Sequence, residues 1–104
     1  MSDSTNSSPT SGAISHNVYF DGKVQSLEIE TDLGKATLGV MKKGSYEFST
    51  SSPERMVVVS GILNVKLPNA SWNKYLKHEE FNVDANTTFE VICDTDVAYI
   101  CYYG

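Results

Sequence analysis

Residues 44–61 constrain the fold most, because they alternate side chains as a strand does on both sides of a Ser51-Ser52-Pro53 corner. Side chains of a strand point in turn to opposite faces, so residues of one parity share a face. The two sets are Tyr46, Phe48 and Thr50 before the corner, and Glu54, Met56, Val58 and Ser60 after it. Since each set mixes apolar with polar groups, this segment predicts the wall of a pocket as well as part of a core.

The rest of the chain consists of short apolar segments separated by turn residues. Asp21-Gly22 and residues 32–34 are turn signals, and residues 42–44 are predicted to close a hairpin after the strand at residues 35–41. No window keeps helical periodicity for more than about two turns. Strand-like segments at intervals of about eight to twelve residues predict an all-β sandwich or barrel.

Three finer features of the strands are predicted. Val24, Leu27 and Ile29 are only partly in phase, which predicts a bulge near Gln25-Ser26. The next strand has Ala36, Leu38 and Val40 on one face. Residues 62–67 are predicted to form the hairpin partner of the strand that ends at Gly61.

The chain of 104 residues is long enough for one domain. Residues 1–15 are mostly small and polar and cannot repay the entropy of ordering, so we expect a disordered N-terminal tail. Residues 16–104 are expected to form a single β-barrel domain.

Charge and cysteine content limit the partners and the compartment. The net charge of −5 argues against binding nucleic acid or an anionic membrane, both of which need a positive field. No signal sequence and no apolar run near the ~20 residues of a membrane span is visible, so we expect a soluble cytoplasmic protein. Cys93 and Cys101 could form a disulfide, but reduced core thiols are favoured.

Several common catalytic motifs are missing from the sequence. The sequence has no phosphate-binding glycine loop before a helix, no Cys-x-x-Cys and no nucleophile elbow. His16 and His78 are the only histidines, lie far apart, and make a poor metal site. We therefore expect no bound metal.

The spacing of the central segment resembles the first motif of the cupins, which are small jelly-roll β-barrels. Glu54, six residues and Gly61 match the second half of that motif, whereas Phe48 and Thr50 occupy its histidine positions. The second cupin motif falls on residues 84–93, with Phe89 and Cys93 at its last two defining positions. The resemblance implies a cupin-type jelly roll without the usual metal ligands.

A closer resemblance covers nearly the whole chain from Tyr19 onward. The matching segments are Tyr19-Phe20-x-Gly22-Lys23-Val24-x-Ser26, Gly39-Val40-Met41, Gly44-x-Tyr46-x-Phe48-x-Thr50, Pro53-Glu54-x-Met56, Ser60-Gly61-x-Leu63-Asn64-Val65-x-Leu67-Pro68 and Tyr99-x-Cys101-x-Tyr103. They are similar to the small cupins called pyrimidine/purine nucleoside phosphorylases. That likeness implies a homodimer that cleaves many purine and pyrimidine nucleosides to free base and ribose 1-phosphate. It implies no cofactor, with phosphate as the co-substrate.

Such a reaction needs an aromatic surface for the base, and four rings could supply it. They are Tyr46, Phe48, Phe89 and Tyr103. Stacking on an aromatic ring tolerates any base, which suits broad nucleoside use. The alternative is that these rings are ordinary barrel core.

Polar candidates follow from the same requirement. Glu54 is assigned to the ribose hydroxyls or to positive charge on the sugar, and Lys23 to the phosphate. The alternatives are a rim carboxylate beside Pro53 and a solvated lysine. The short side chains Thr50, Ser60 and Asn64 could donate to phosphate or base, or satisfy backbone groups. Arg55 is out of phase with Glu54 and is a second candidate for phosphate.

Two other functions remain open from the residues alone. One is a non-catalytic cupin that binds a small nucleoside or sugar. The other is a metal-dependent cupin oxygenase or isomerase.

Overall fold

The computed structural model describes residues 13–104. Most of the predicted tail, residues 1–12, lies outside this described part. Residues 13–15 are exposed and have no regular structure, although the carbonyl of Ser15 accepts a 3.0 Å hydrogen bond from the backbone N–H of Glu28. The first strand begins at His16. The division into tail and domain stays a prediction.

The described chain folds into two antiparallel sheets, which confirms the all-β prediction. Its strands are β1 (His16–Tyr19), β2 (Val24–Thr31), β3 (Gly34–Met41), β4 (Gly44–Ser49), β5 (Glu54–Ser60), β6 (Leu63–Lys66), β7 (Asn73–Tyr75), β8 (Glu80–Val83), β9 (Thr88–Cys93) and β10 (Val97–Tyr103). One sheet has the order β1-β2-β3-β10-β5-β8, and the other has the order β4-β9-β6-β7. The helical part is one 3₁₀ turn at Phe20–Gly22, so no helix within residues 13–104 could cross a membrane.

Residues 32–34 form a turn, as predicted, and this turn closes a hairpin. Thr31 pairs with Gly34, and the Thr31 hydroxyl donates to the Gly34 carbonyl at 2.7 Å. Gly34 has a φ of 103°, a region that residues with a Cβ rarely adopt. The turn therefore joins β2 and β3 tightly in one sheet.

The two predicted hairpins are wrong, because the chain changes sheet at both places. After residues 42–44, β4 pairs with β9 in the four-stranded sheet. After Gly61, β6 pairs with β7 and β9 and not with β5. A Cβ on Gly61 would lie 2.6 Å from the Asp96 carbonyl oxygen, so the second corner needs glycine. These corners place consecutive strands in opposite layers.

The pairing of β2 with β3 runs without interruption, so the predicted bulge near Gln25-Ser26 is wrong. The predicted face of β3 is the outer face of the sheet, with Leu38 44% and Val40 56% exposed, although the small Ala36 on the same face is 0% exposed. Thr37 and Met41 are buried on the opposite face. The outer surface of the six-stranded sheet is therefore itself apolar.

A bulge occurs instead in β5. Tyr99 pairs with Val58 and its neighbour Ala98 pairs with Ser60, so Val59 is the extra residue. Because of this extra residue, side chains beyond the bulge point to the face opposite to the one that strict alternation predicts. Ser60 consequently leaves the face it was predicted to share with Val58 and is exposed.

The core lies between the sheets. It includes Val24, Met41, Met56, Val58, Leu63, Val65, Phe81, Val83, Phe89, Val91 and Val97. Cys93 on β9 and Cys101 on β10 are both buried free thiols, as predicted.

Candidate active site

A cavity of about 150 Å³ lies between the two sheets. Its lining comprises Tyr19, Ser26, Thr37, Phe48, Ser49, Glu54, Met56, Phe89, Tyr99, Cys101 and Tyr103. Tyr19 is 49% exposed and Tyr103 36%, and Ser49 is exposed, so these residues mark the mouth. Phe89, Thr37 and Cys101 are buried and form the floor.

The six-stranded sheet supplies a polar wall to this cavity. Strand register brings its members together, because Tyr103 pairs with Glu54 and Cys101 pairs with Thr37. Ser26 lies one strand farther, on β2. All of these side chains share the inner face, so hydroxyl, thiol and carboxyl groups converge there.

Gly39 makes room for one ring of this wall. It pairs with Tyr99 on β10, and a Cβ at Gly39 would lie 2.3 Å from Cζ of Tyr99. No side chain fits at that distance unless the ring moves. The absence of a side chain at Gly39 therefore lets the Tyr99 phenol lie across β3.

Two hydrogen bonds connect the polar wall. The hydroxyls of Tyr103 and Thr37 share one of 3.1 Å, and Sγ of Cys101 donates to Oε1 of Glu54 at 3.3 Å. Burial raises the pKa of Glu54, and the thiol bond opposes part of that rise. Burial also raises the pKa of Tyr103 to about 12 and raises the pKa of Cys101, which the negative charge of Glu54 raises further. The thiol and the phenol are therefore neutral at physiological pH.

The four-stranded sheet supplies an aromatic wall. Phe48 on β4 pairs directly with Phe89 on β9, and their ring centroids are 5.8 Å apart at an interplanar angle of 37°. Phe20 meets Phe48 edge-on at 5.6 Å, and Phe81 meets Phe89 at 6.3 Å. Neighbouring rings thus hold the pair in place from both ends.

The structure brings four of the predicted site residues together at the cavity: Glu54, Phe48, Phe89 and Tyr103. Three others serve local structure. Tyr46 is buried and its hydroxyl donates to the Lys42 carbonyl at 2.6 Å. The Thr50 hydroxyl donates to the Asp84 carbonyl at 2.6 Å. The Asn64 amide lies on the outer face and donates to the Ile92 carbonyl at 3.1 Å.

The predicted cations do not reach the cavity. Lys23 is exposed and lines, with Ser60 and Asp96, a separate shallow depression. Arg55 faces outward, as its phase predicts, and lies 3.1 Å from Glu80 and 4.3 Å from the centroid of the Tyr102 ring. Residues 13–104 contain all of the chain's lysines, arginines and histidines, and none of them lines the cavity.

Several lining residues were not selected from the sequence: Tyr19, Ser26, Thr37, Ser49, Met56, Tyr99 and Cys101. The alternation Tyr99-x-Cys101-x-Tyr103 could have identified two of them, because Tyr99 and Cys101 share a strand face with Tyr103, which is a predicted site residue. Thr37 shares parity with Gly39 and Met41, which is the less apolar face of β3.

No group of three His, Cys, Asp or Glu side chains that could hold a metal ion occurs in the described chain. At the cavity, the only members of this ligand set are Glu54 and Cys101.

Two antiparallel sheets packed as a sandwich around a small cavity form a cupin-type jelly-roll fold. A solved RmlC-like cupin from Shewanella frigidimarina has the same fold, with a TM-score of 0.66 and 17% identity over 97% of this chain and 91% of that one. The family described as pyrimidine/purine nucleoside phosphorylase matches residues 14–103. The chain belongs to this family.

Individual relatives agree with that assignment. Proteins named pyrimidine/purine nucleoside phosphorylase are 48% identical in Hahella chejuensis, over 85% of this chain and 96% of that one, and 47% identical in Alcanivorax borkumensis, over 85% and 95%. A solved Vibrio parahaemolyticus protein of unknown function has a TM-score of 0.81 and 41% identity, over 86% of this chain and 97% of that one.

Proposed function

We propose that the protein cleaves purine and pyrimidine nucleosides with phosphate, giving free base and ribose 1-phosphate. The observation that carries this proposal is the cavity in which an aromatic wall faces a wall of hydroxyl, thiol and carboxyl groups. The names of its relatives support the same activity.

The base occupies the floor of the cavity. A volume of about 150 Å³ suits one aromatic ring, since an engineered cavity of about that size binds benzene. Stacking on Phe48 and Phe89 contributes on the order of 1–3 kcal/mol per base and does not depend on the base edge. Stacking of this kind supports a broad nucleoside range, and a base on the floor would have its ribose toward the mouth, beside Tyr19 and Ser49.

Phosphate is the co-substrate, and the reaction uses no cofactor. The lining offers the hydroxyls of Ser26, Thr37 and Tyr103 as hydrogen-bond donors to it. The positions of Lys23 and Arg55 give them no part in this contact. Phosphate is therefore bound through neutral donors.

The protein forms a homodimer through the outer face of the six-stranded sheet. Leu27, Leu38, Ile100 and Val57 lie side by side across four strands of this face, and Val40 adds to the apolar surface. His16 ends the row on one side and Glu80 on the other. A two-fold axis along the strands would place His16 of one copy beside Glu80 of the other, so the polar ends of the row as well as its apolar middle would be complementary between two copies.

Light scattering tests the dimer. We expect twice the chain mass for the wild type and the mass of one chain for Leu38→Glu. Leu33→Glu, in the exposed β2–β3 turn, is the matched control and should leave the mass unchanged. A wild-type monomer, or a Leu38→Glu dimer, would contradict this interface.

The activity test incubates the protein with uridine or adenosine, with and without phosphate, and measures free base by chromatography. Base release that requires phosphate supports the proposal. Binding without release would favour the non-catalytic cupin, and loss of activity after chelation would favour the metal-dependent enzyme. Release independent of phosphate would identify a hydrolase instead.

A further inference from the structure

We propose that Glu54 acts as the general acid, giving a proton to the departing base, with Cys101 and Tyr103 as its positioning residues. This inference rests on the proposed phosphorolysis and adds a role for the carboxyl group that differs from binding the ribose hydroxyls. It depends on the charge of the cavity, the hydrogen bonds of Glu54, and its depth between floor and mouth.

The charge of the cavity favours a neutral Glu54. Phosphate is an anion, and the part of the chain that the structure describes brings no cation to the lining. An ionised carboxylate would repel phosphate at close range in a half-buried site. A protonated Glu54 removes that repulsion, and burial favours the same state.

The hydrogen bond from Cys101 leaves one oxygen of Glu54 for the proton. The thiol donates to Oε1, which must therefore accept. Within residues 13–104 this is the only hydrogen bond of the carboxyl group. Oε2 consequently can hold a proton and present it to a ligand.

The intermediate exposure of Glu54 fits the position expected for the glycosidic bond of a bound nucleoside. Glu54 is half-buried, so its exposure is intermediate between that of Phe89 on the floor, which is 2% exposed, and that of Tyr19 at the mouth, which is 49% exposed. With the base on the floor and the sugar at the mouth, the glycosidic nitrogen lies at an intermediate level. A proton donor at that level can reach a nitrogen or a carbonyl oxygen of the base.

The proton transfers balance over one turnover. Hydrogen phosphate forms a bond to C1′ while the C1′–N bond breaks and leaves its electron pair on the base. Glu54 gives its proton to the base, which leaves neutral. The resulting carboxylate takes the proton that the phosphate brought, so Glu54 is restored and the ribose 1-phosphate leaves as a dianion.

The neighbours of Glu54 keep its carboxyl group in place. Tyr103 lies opposite Glu54 in the β5–β10 pair, and Thr37 holds the Tyr103 hydroxyl. The other titratable groups lining the cavity are the phenols of Tyr99 and Tyr19 and the thiol of Cys101. β8 contributes Val83 opposite Glu54, and the four-stranded sheet contributes no titratable group to this lining.

A substrate that needs no proton tests the role directly. The base of 7-methylguanosine is already cationic and leaves neutral, whereas the base of guanosine must be protonated. We expect Glu54→Gln to lower kcat on guanosine by about 10²–10⁴-fold, the usual contribution of general acid catalysis. Its kcat on 7-methylguanosine should fall by less than about tenfold. Glu90→Gln, on the outer face of β9, is the matched control and should leave both unchanged.

The outcomes separate the two proposals. Equal losses on the two substrates, or no loss on guanosine, would overturn the general-acid role while leaving phosphorolysis intact. A wild-type protein that releases no base from either substrate would refute phosphorolysis itself. Circular dichroism of Glu54→Gln excludes misfolding as the cause of a loss.

The positioning role of Cys101 is tested by the pH profile of kcat. The thiol bond lowers the pKa of Glu54, so Cys101→Val should move the alkaline decline of kcat to higher pH. Cys101→Ser keeps a donor and should restore the wild-type profile. Cys93→Ser, whose thiol is directed at the Lys42 carbonyl, is the control. An unchanged profile in Cys101→Val would remove Cys101 from this role.

Discussion

The two walls of the cavity differ in the groups they could offer to a substrate. The wall of the six-stranded sheet carries a carboxyl, a thiol and several hydroxyls, with hydrogen bonds from Cys101 to Glu54 and between Thr37 and Tyr103, whereas the wall of the four-stranded sheet consists mainly of two phenyl rings held by further rings, with the Ser49 hydroxyl at the mouth. Stacking ignores the identity of the base, and hydrogen-bonding groups can act on the bond being broken. The comparison teaches that breadth of recognition and reactivity can be assigned to separate layers of one sandwich.

Substitutions of the two rings of the aromatic wall should have different effects. Loss of the Phe89 ring should mainly lower stability, and loss of the Phe48 ring should mainly weaken nucleoside binding. Phe89 is 2% exposed, so Phe89→Ala should lower the free energy of unfolding by about 3–5 kcal/mol. For a domain of this size that corresponds to a fall in Tm of at least about 12 °C, measurable by calorimetry. Phe20→Ala, at a ring 42% exposed, is the comparison and should cost much less. Similar losses in the two variants would show that Phe89 is not a core ring.

Phe48 is less buried, and its substitution should act mainly on the nucleoside. Phe48→Ala removes a stacking ring worth on the order of 1–3 kcal/mol, so Kd for nucleoside should rise roughly 5- to 150-fold. Isothermal titration measures this, and Kd for phosphate should stay unchanged. Phe48→Tyr keeps the ring and should bind nearly as the wild type does. Equal weakening of nucleoside and phosphate would mean that the walls are not specialised.

The polar wall should respond through hydrogen bonds, with smaller effects. Thr37→Val breaks the bond to Tyr103, worth about 0.5–1.5 kcal/mol, and should lower kcat/KM by roughly 2- to 13-fold. Tyr103→Phe removes the same bond from the other side. Because both variants remove this one bond, the loss in the double variant should be smaller than the sum of the two single losses. Full additivity would show that the two hydroxyls act independently.

The smallest effect should be the pH dependence of stability that Glu54 contributes. Because its pKa is raised in the folded state, the unfolded chain releases this proton at lower pH than the folded one. The contribution to stability is thus complete below the unfolded pKa and is lost as pH rises through the folded pKa. Tm of the wild type minus Tm of Glu54→Gln should therefore fall as the pH rises above 4.5, the ordinary pKa of a glutamate. A Tm difference that rises with pH would mean that the polar wall stabilises the ionised form of Glu54.

The aromatic wall could be predicted from sequence far better than the polar wall. Phe48 and Phe89 can be predicted from side-chain alternation, because β4 and β9 each direct one apolar face toward the core. On β3, apolar Leu38 and Val40 point outward and Thr37 points to the cavity, so the usual rule selects the wrong face. Local periodicity does not specify which of the two faces of a strand points toward the opposite sheet.

Long-range geometry accounts for the remaining differences. Ser60 leaves its predicted face because of a bulge that only the pairing with β10 reveals. The position of Lys23 depends on how the 3₁₀ turn before β2 sits against the barrel end, which side-chain type does not specify. The general likeness to a family identified the fold and Glu54, but not the neighbours that surround it.

The corners that carry the chain from one sheet to the other also govern how the protein acquires its shape. From β3 to β6 each successive strand joins the opposite layer, and β8, β9 and β10 alternate in the same way. Neither layer can complete its ladder until distant segments have met, so the loop-closure entropy is lost before most contacts form. Folding should accordingly be slow, on the order of milliseconds to seconds, and cooperative. A half-formed molecule would have no competent site, and catalytic activity should return during refolding only with the last strand.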